Sequence, residues 1–237
     1  MRIARETCLW TVGSLLLINF CAAPAQMPAK KIVVRSGNLC VTEGAVTNGA
    51  GDRLTVDAPK MRAYVNTWTS QAIEAKFTYV GPTAEETKLG SGEIRRQFGL
   101  KLRAQNACNL VYAMWRIEPE SKVVVSIKRN PDQTKSSECG NRGYQNIKAQ
   151  HAAAVPALRA GDTHTLGAEL DGNELHVFVD NRVVWEGNLG PDAQDLQGPV
   201  GIRSDNMRLA FDLKAGATAG MHPDFRLGCK SGPDASD

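Results

Sequence analysis

Apolar and polar residues alternate in short runs along most of the chain. The runs are 72–80 (AIEAKFTYV), 98–103 (FGLKLR), 110–117 (LVYAMWRI), 122–129 (KVVVSIKR), 164–170 (HTLGAEL), 174–179 (ELHVFV), 182–186 (RVVWE), 199–203 (PVGIR) and 208–214 (RLAFDLK). A period of two is the mark of a strand with one buried face, and clusters of Gly, Pro, Asn and Asp separate these runs. The pattern predicts an all-β protein, a two-sheet antiparallel β-sandwich. Ala152 to Leu158 could make one helical turn, limited by Pro156. The part before about Pro59 and the tail after Ala215 are rich in Gly, Ala, Asp and Pro, and read as loops and peripheral strands. No internal repeat or low-complexity linker divides the chain.

Alternation also assigns faces. Phe98, Leu100 and Leu102 share one side of their strand, and Gly99, Lys101 and Arg103 the other. In the next run Val111, Ala113, Trp115 and Ile117 read as core, leaving Tyr112, Met114 and Arg116 outward. In the third, Val123, Val125 and Ile127 point inward, and Val124, Ser126 and Lys128 outward. If the three strands are neighbours, their outward face carries Lys101, Arg103, Tyr112, Arg116 and Lys128. A guanidinium forks a carboxylate, and a tyrosine ring offers an apolar platform to sugar C–H groups. Such a face suits a uronic-acid or phosphate-bearing polymer, although Lys and Arg are also ordinary on the solvated face of an antiparallel sheet.

The stretch AELDGNELHVFVDN contains Glu169-x-Asp171-x-x-Glu174. That spacing resembles the paired-carboxylate strand of laminarinase- and lichenase-type glycoside hydrolases. Retaining chemistry needs two carboxyl groups about 5–5.5 Å apart. Here the alternation of Leu166, Ala168 and Leu170 stops at Asp171-Gly172-Asn173 and resumes with Leu175, Val177 and Val179. Asp-Gly between two alternating runs predicts a hairpin, because Gly reaches positive φ without steric cost. A strand cannot turn and carry a catalytic row through the same residues. The expectation is a turn at Asp171 with Glu169 and Glu174 on opposite strands.

The chain opens MRIARETCLWTVGSLLLINFCAAPAQ. Two arginines, an apolar run from Leu9 to Phe20 and Ala23-Pro24-Ala25 fit a signal peptide over residues 1–25. The run is shorter than the ~20 residues of a membrane span. The expected product is exported, periplasmic or secreted, with residues 26–237 as a single β-sandwich domain and no membrane insertion. A lipid-modified Cys21 is the lesser alternative, because bulky Phe20 stands beside the bond that would be cleaved. Signal removal leaves Cys40, Cys108, Cys139 and Cys229, an even number that implies two disulfides in an oxidising compartment. Three connectivities are open. Cys108 in a short inter-strand loop and Cys139 in the long connection after it are the expected pair, which leaves Cys40 and Cys229 to join the two ends. With no Cys-x-x-Cys and no His-x-x-x-His, neither metal nor cofactor is expected. The formal charge is +3, and no Lys/Arg run marks a nucleic-acid binder.

The C-terminal half resembles concanavalin A-like jelly rolls of the laminin-G and keto-glycoside-hydrolase-like kind. The matching positions are Gly161-Asp162-Thr163-His164, Gly172-Asn173, Val177-Phe178-Val179-Asp180-Asn181, Gly198-Pro199-Val200-Gly201-Ile202-Arg203-Ser204 and Phe211-Asp212. The resemblance spans roughly Ile73 to Leu213. Thr163 stands where the family has a tryptophan, and the Arg and His/Tyr motifs of alginate-lyase-type relatives are missing. The resemblance implies the jelly-roll fold. Function is open, since this fold hosts lectins, adhesion modules, hydrolases and lyases. The first expectation is an exported non-catalytic sandwich that binds carbohydrate, in particular an acidic polysaccharide, or an envelope partner. A glycan-active enzyme and an adhesion or scaffold domain without a sugar site are the alternatives.

Overall fold

The computed structural model describes residues 30–66 and 70–216 together with Cys229; the signal-peptide and Cys21 expectations lie outside the described residues. Fourteen strands carry the described fold. Near the N-terminus are β1 (Lys31–Val34), β2 (Leu39–Glu43), β3 (Thr47–Asn48) and β4 (Leu54–Val65). The middle holds β5 (Ala72–Pro82), β6 (Gln97–Asn106), β7 (Asn109–Arg116), β8 (Lys122–Lys128), β9 (Tyr144–Asn146) and β10 (His151–Ala152). Last come β11 (Thr163–Asp171), β12 (Glu174–Val179), β13 (Arg182–Asn188) and β14 (Gly201–Gly216). One helical turn, α1 (Ser136–Cys139), precedes β9. The single turn expected at 152–158 does not form: Ala152 ends β10 and the residues after it are irregular chain, in line with Pro156, which lacks the N–H a helix needs.

All pairings are antiparallel, and the ladder runs β10-β13-β12-β11-β5-β14-β6-β7-β8-β9, with β4 along the other side of β14. The ladder folds into two layers because β14 changes partner. Residues 201–205 pair with β6 and residues 207–215 with β5. Asn206 marks the change with a left-handed backbone, φ 55°. Opposite it the β4 register passes from Lys60 to Ala58, skipping Pro59. Proline donates no ladder hydrogen bond, and strands tolerate it at such irregularities. Of the part before about Pro59, expected as loops and peripheral strands, residues 54–59 instead belong to β4 beside β14, and the runs at 199–203 and 208–214 fall, from Gly201 on, in the one strand β14.

The inward faces meet in one core. Phe77 of β5 lies 4.9 Å from Phe98 of β6 and edge-on to Trp115 of β7 at 5.7 Å, an aromatic cluster that joins the layers. Leu100, Leu102, Val111, Ala113, Val125 and Ile127 of one layer are buried with Leu166, Ala168, Leu175 and Val177 of the other. Cys108 pairs with Cys139 and Cys40 with Cys229. The first bond ties the connection after β8 to the β6–β7 turn.

Candidate binding cavity

Strands β6, β7 and β8 are adjacent, in the order the outward-face reading requires. Cross-strand register stacks the outward side chains in rows. Lys60, Asp205, Gln97 and Arg116 form one row, and Arg62, Arg203, Gly99 and Met114 the next. Gly99 is required here, since a Cβ would collide with the Ala113 carbonyl and with Met114 Sδ. The third row holds Tyr64, Gly201, Lys101, Tyr112, Ser126 and Asn146. Above these rows opens a cavity of about 450 Å³. Its walls are the connection after β5, with Leu89, Glu93 and Arg95, and the connection after β8, with Ser136, Gly140 and Asn141. Asn206 anchors the first wall. Its side chain accepts from Thr87 N at 2.8 Å and donates to the carbonyls of Thr87 and Arg95 at 2.9 and 3.0 Å. The Cys108–Cys139 disulfide anchors the second. Six cationic side chains, those of Lys60, Arg62, Arg95, Arg116, Lys128 and Arg203, line the cavity against the two acids Glu43 and Glu93.

At the base sits Asp205, fully buried. Its carboxylate accepts from Arg62 at 2.6 Å, Gln97 Nε2 at 2.6 Å and Arg203 Nε at 2.9 Å. Burial pushes the Asp205 carboxyl up. The charges of Arg203 and Arg62, with the hydrogen bonds from Gln97 and Arg203, outweigh it and hold the group well below the usual carboxylate range. Burial likewise works against the Arg203 charge, but Asp205 and the phenols of Tyr112 and Tyr144 keep its pKa well above the ordinary value. One buried carboxylate therefore fixes three side chains that line the cavity.

The aromatic side of the cavity is a stack. Tyr144 lies over Tyr112, ring centroids 6.0 Å apart and 24° from parallel. The Arg203 guanidinium sits 5.0 Å from the Tyr112 ring and donates to the Tyr144 hydroxyl at 3.2 Å. Lys128 Nζ lies 5.3 Å from the Tyr144 ring and donates to the Ala107 carbonyl at 3.1 Å. Burial raises the Tyr144 phenol; the Arg203 and Lys128 charges and the hydrogen bond from Arg203 prevail and lower its pKa.

The five residues expected on this face part company. Tyr112, Arg116 and Lys128 line the cavity. Lys101 lies in the same row as Tyr112 but is only 1% exposed and does not line the cavity. Tyr112 is 4% exposed and Lys128 3%, so this part of the face is not simply solvated. Tyr144, at 39%, is the aromatic that reaches solvent. Arg103 leaves the face altogether. Its backbone is left-handed, φ 48°, at the bulge where the β6–β7 register slips. The phase of alternation shifts there, and Ala104 takes the outward place beside Leu110 and Tyr112. The Arg103 guanidinium instead crosses to the other layer. There it donates to the Gly172 carbonyl, to Asn173 Oδ1 at 2.8 Å and to the Ala193 carbonyl at 2.7 Å. Its role is to clamp the β11–β12 turn. Arg116 is different: its side chain makes no hydrogen bond or ion pair among the described residues, and its Nε is buried without a partner. Burial, then the charges of Arg95 and Arg203, lower its pKa, with Glu93 opposing.

No family model matches the chain, and no curated protein does. Solved structures do. A carbohydrate-binding module, CBM66, from Bacillus subtilis superposes with a TM-score of 0.52 at 14% identity, covering 73% of this chain and 91% of that one. A Bacillus subtilis protein of unknown function with a galectin-like fold gives a TM-score of 0.50 at 10% identity, covering 76% and 89%. The fold is a concanavalin A-like β-sandwich. At these identities the likeness concerns architecture and carries no site residues.

Within this concanavalin A-like sandwich the hydrolase-like spacing falls on a hairpin. Asp171 pairs with Glu174 and Glu169 with His176 across β11 and β12. The two-residue tip is Gly172-Asn173, one step beyond the expected Asp171, with Gly172 at φ 56°. Glu169 is ion-paired to Lys31 at 3.3 Å, and Glu174 accepts from Asn188 at 2.5 Å. The two carboxylates have separate partners and do not line the cavity over β6, β7 and β8. Sequence reasoning missed Arg62, Gln97, Tyr144, Arg203 and Asp205. Only Arg203 carried a signal, inside the Gly-Pro-Val-Gly-Ile-Arg-Ser run.

Proposed function

We propose that this protein is an exported, non-catalytic concanavalin A-like domain that binds an acidic polysaccharide in the cavity over β6, β7 and β8. One observation carries the reading: six cations line an open cavity whose exposed aromatic is Tyr144, against Glu43 and Glu93 in its lining and the buried Asp205 at its base, so the cavity stays net positive. Arginine forks carboxylates and keeps its charge when partly desolvated. The signal-like N-terminus and the two disulfides support export. The carbohydrate-binding module among the similar structures is compatible with a sugar ligand. A second reading, a glycan-active enzyme, draws on the Tyr144 phenol, which Arg203 and Lys128 bias toward ionisation.

Affinity electrophoresis against neutral and uronic-acid polymers, at low and high salt, tests the proposal. The parent is expected to bind the acidic polymers and to weaken as salt shortens the Debye length from about 10 Å toward about 3 Å. The Arg95→Ala/Arg116→Ala double variant is expected to lose the binding with its melting temperature nearly unchanged. Equal binding by parent and variant, or salt-independent preference for neutral polymers, overturns the site. Release of reducing ends from a bound polymer would replace the non-catalytic reading with the enzymatic one.

A further inference from the structure

Gln97 and Arg116 are cross-strand partners on β6 and β7, and both line the cavity. Opposed residues of this kind stand about 4.5–5.5 Å apart. Each carries a buried polar atom without a partner: Gln97 Oε1, an acceptor, and Arg116 Nε, a donor. The orientation of Gln97 follows from its neighbour. Asp205 is held ionised by Arg62 and Arg203, and a carboxylate only accepts. Gln97 must therefore give its amide nitrogen to Asp205, at 2.6 Å, and turn its carbonyl away. Unmet buried donors and acceptors cost free energy that a suitable partner recovers, so the pair favours any ligand that supplies the missing groups together.

Resting on the acidic-polysaccharide reading, we infer that Gln97 and Arg116 form a uronate subsite. Arg116 takes the planar carboxylate of the uronate at the non-reducing end of the polymer, and Gln97 Oε1 accepts from that residue's free C4 hydroxyl, on the ring carbon next to the one that bears the carboxylate. A uronate fixes these two groups side by side on one ring. A sulfate ester presents three anionic oxygens on a rotatable link, and one of them would face the Gln97 carbonyl, lone pair against lone pair. Lysine could not replace Arg116, since an ammonium has no Nε–H to direct beside a fork. The other cations contribute attraction to any anion and the Tyr144 ring contributes an apolar platform, whereas this pair supplies the choice among anions.

The test measures dissociation constants by calorimetry for three probes: an oligogalacturonate, its methyl ester, and a sulfated dextran oligosaccharide of matched charge. The proteins are the parent, Gln97→Met and Arg116→Lys. The parent is expected to prefer the oligogalacturonate over both other probes by about tenfold or more, the worth of a charge-assisted hydrogen bond. Each variant is expected to collapse that preference. The two variants rest on different elements, so misfolding of one, read from its melting curve, leaves the other to decide. Equal binding of uronate and sulfate by the parent, or an unchanged preference in a folded variant, overturns the subsite and leaves the acidic-polysaccharide reading standing. Absence of binding to either anionic probe overturns both.

Discussion

Replacing Asp205 by Asn removes a buried charge while keeping the size of the side chain. In the parent that charge faces Arg62 at 2.6 Å and Arg203 at 2.9 Å, with no exposure to solvent. Removing one member of a buried ion pair typically costs about 3–5 kcal/mol, because the partner charge stays behind uncompensated. Two features pull the value toward the lower end. Arg62 retains the Met61 and Ser204 carbonyls and Glu43 at 3.8 Å. Arg203 retains the Tyr144 hydroxyl and the Tyr112 ring. The expected loss is about 3 kcal/mol, or roughly 6–12 °C in melting temperature for a domain of this size. The pH dependence gives a second handle. The folded carboxyl lies well below its ordinary value of 3.8. A depressed acid stabilises the fold fully above its unfolded pKa, and that stability is lost as pH falls toward the folded value. The gap between parent and Asp205→Asn should therefore be constant from about pH 7 to about pH 5 and narrow below about pH 4, at up to ~1.4 kcal/mol per pH unit. Urea unfolding followed by fluorescence of the buried Trp115 measures it, with the disulfides left intact. A gap under about 1 kcal/mol at neutral pH, or one that does not close in acid, would refute the account of Asp205 as the charge that organises the cavity base.

Two further predictions separate scaffold from site. Arg103→Ala should cost about 2–3 kcal/mol, since it strands the Gly172 and Ala193 carbonyls, yet leave polymer affinity within about twofold; a large affinity loss in a folded variant would return Arg103 to the binding face. The Cys108→Ser/Cys139→Ser variant should lose about 3–4 kcal/mol on the chain-entropy account of its closed loop. It should also weaken polymer binding, because the freed connection carries Gly140 and Asn141 of the cavity wall; unchanged affinity would show that this wall takes no part in binding.

What could be read directly from the chain was whatever depends on near neighbours. The strand runs, the Gly172 turn and the split between core and outward residues on β7 and β8 all follow from a period of two. Each residue's side is fixed by counting from the one before. That is why parity alone puts Tyr112, Arg116 and Lys128 on one face. The same count failed at Arg103, where one left-handed residue shifts the phase, and at β4, where Pro59 reads as an interruption until Asn206 is seen opposite it. Resemblance in the order of strands and turns brought in the jelly-roll architecture. The cavity base belongs to tertiary structure alone. Asp205 meets Arg62 from 143 residues away and Gln97 from 108. Nothing in the local sequence around Asp205 marks it as buried, because burial of a charge is settled by which distant partners the fold delivers to it. Tyr112 shows the same dependence, since Tyr144 of β9 stacks over its ring, and Lys101 beside it in the same row is buried as well although parity alone makes both outward. Strand parity sets the side on which a residue stands, and long-range packing sets whether that side meets water, a partner or a ligand.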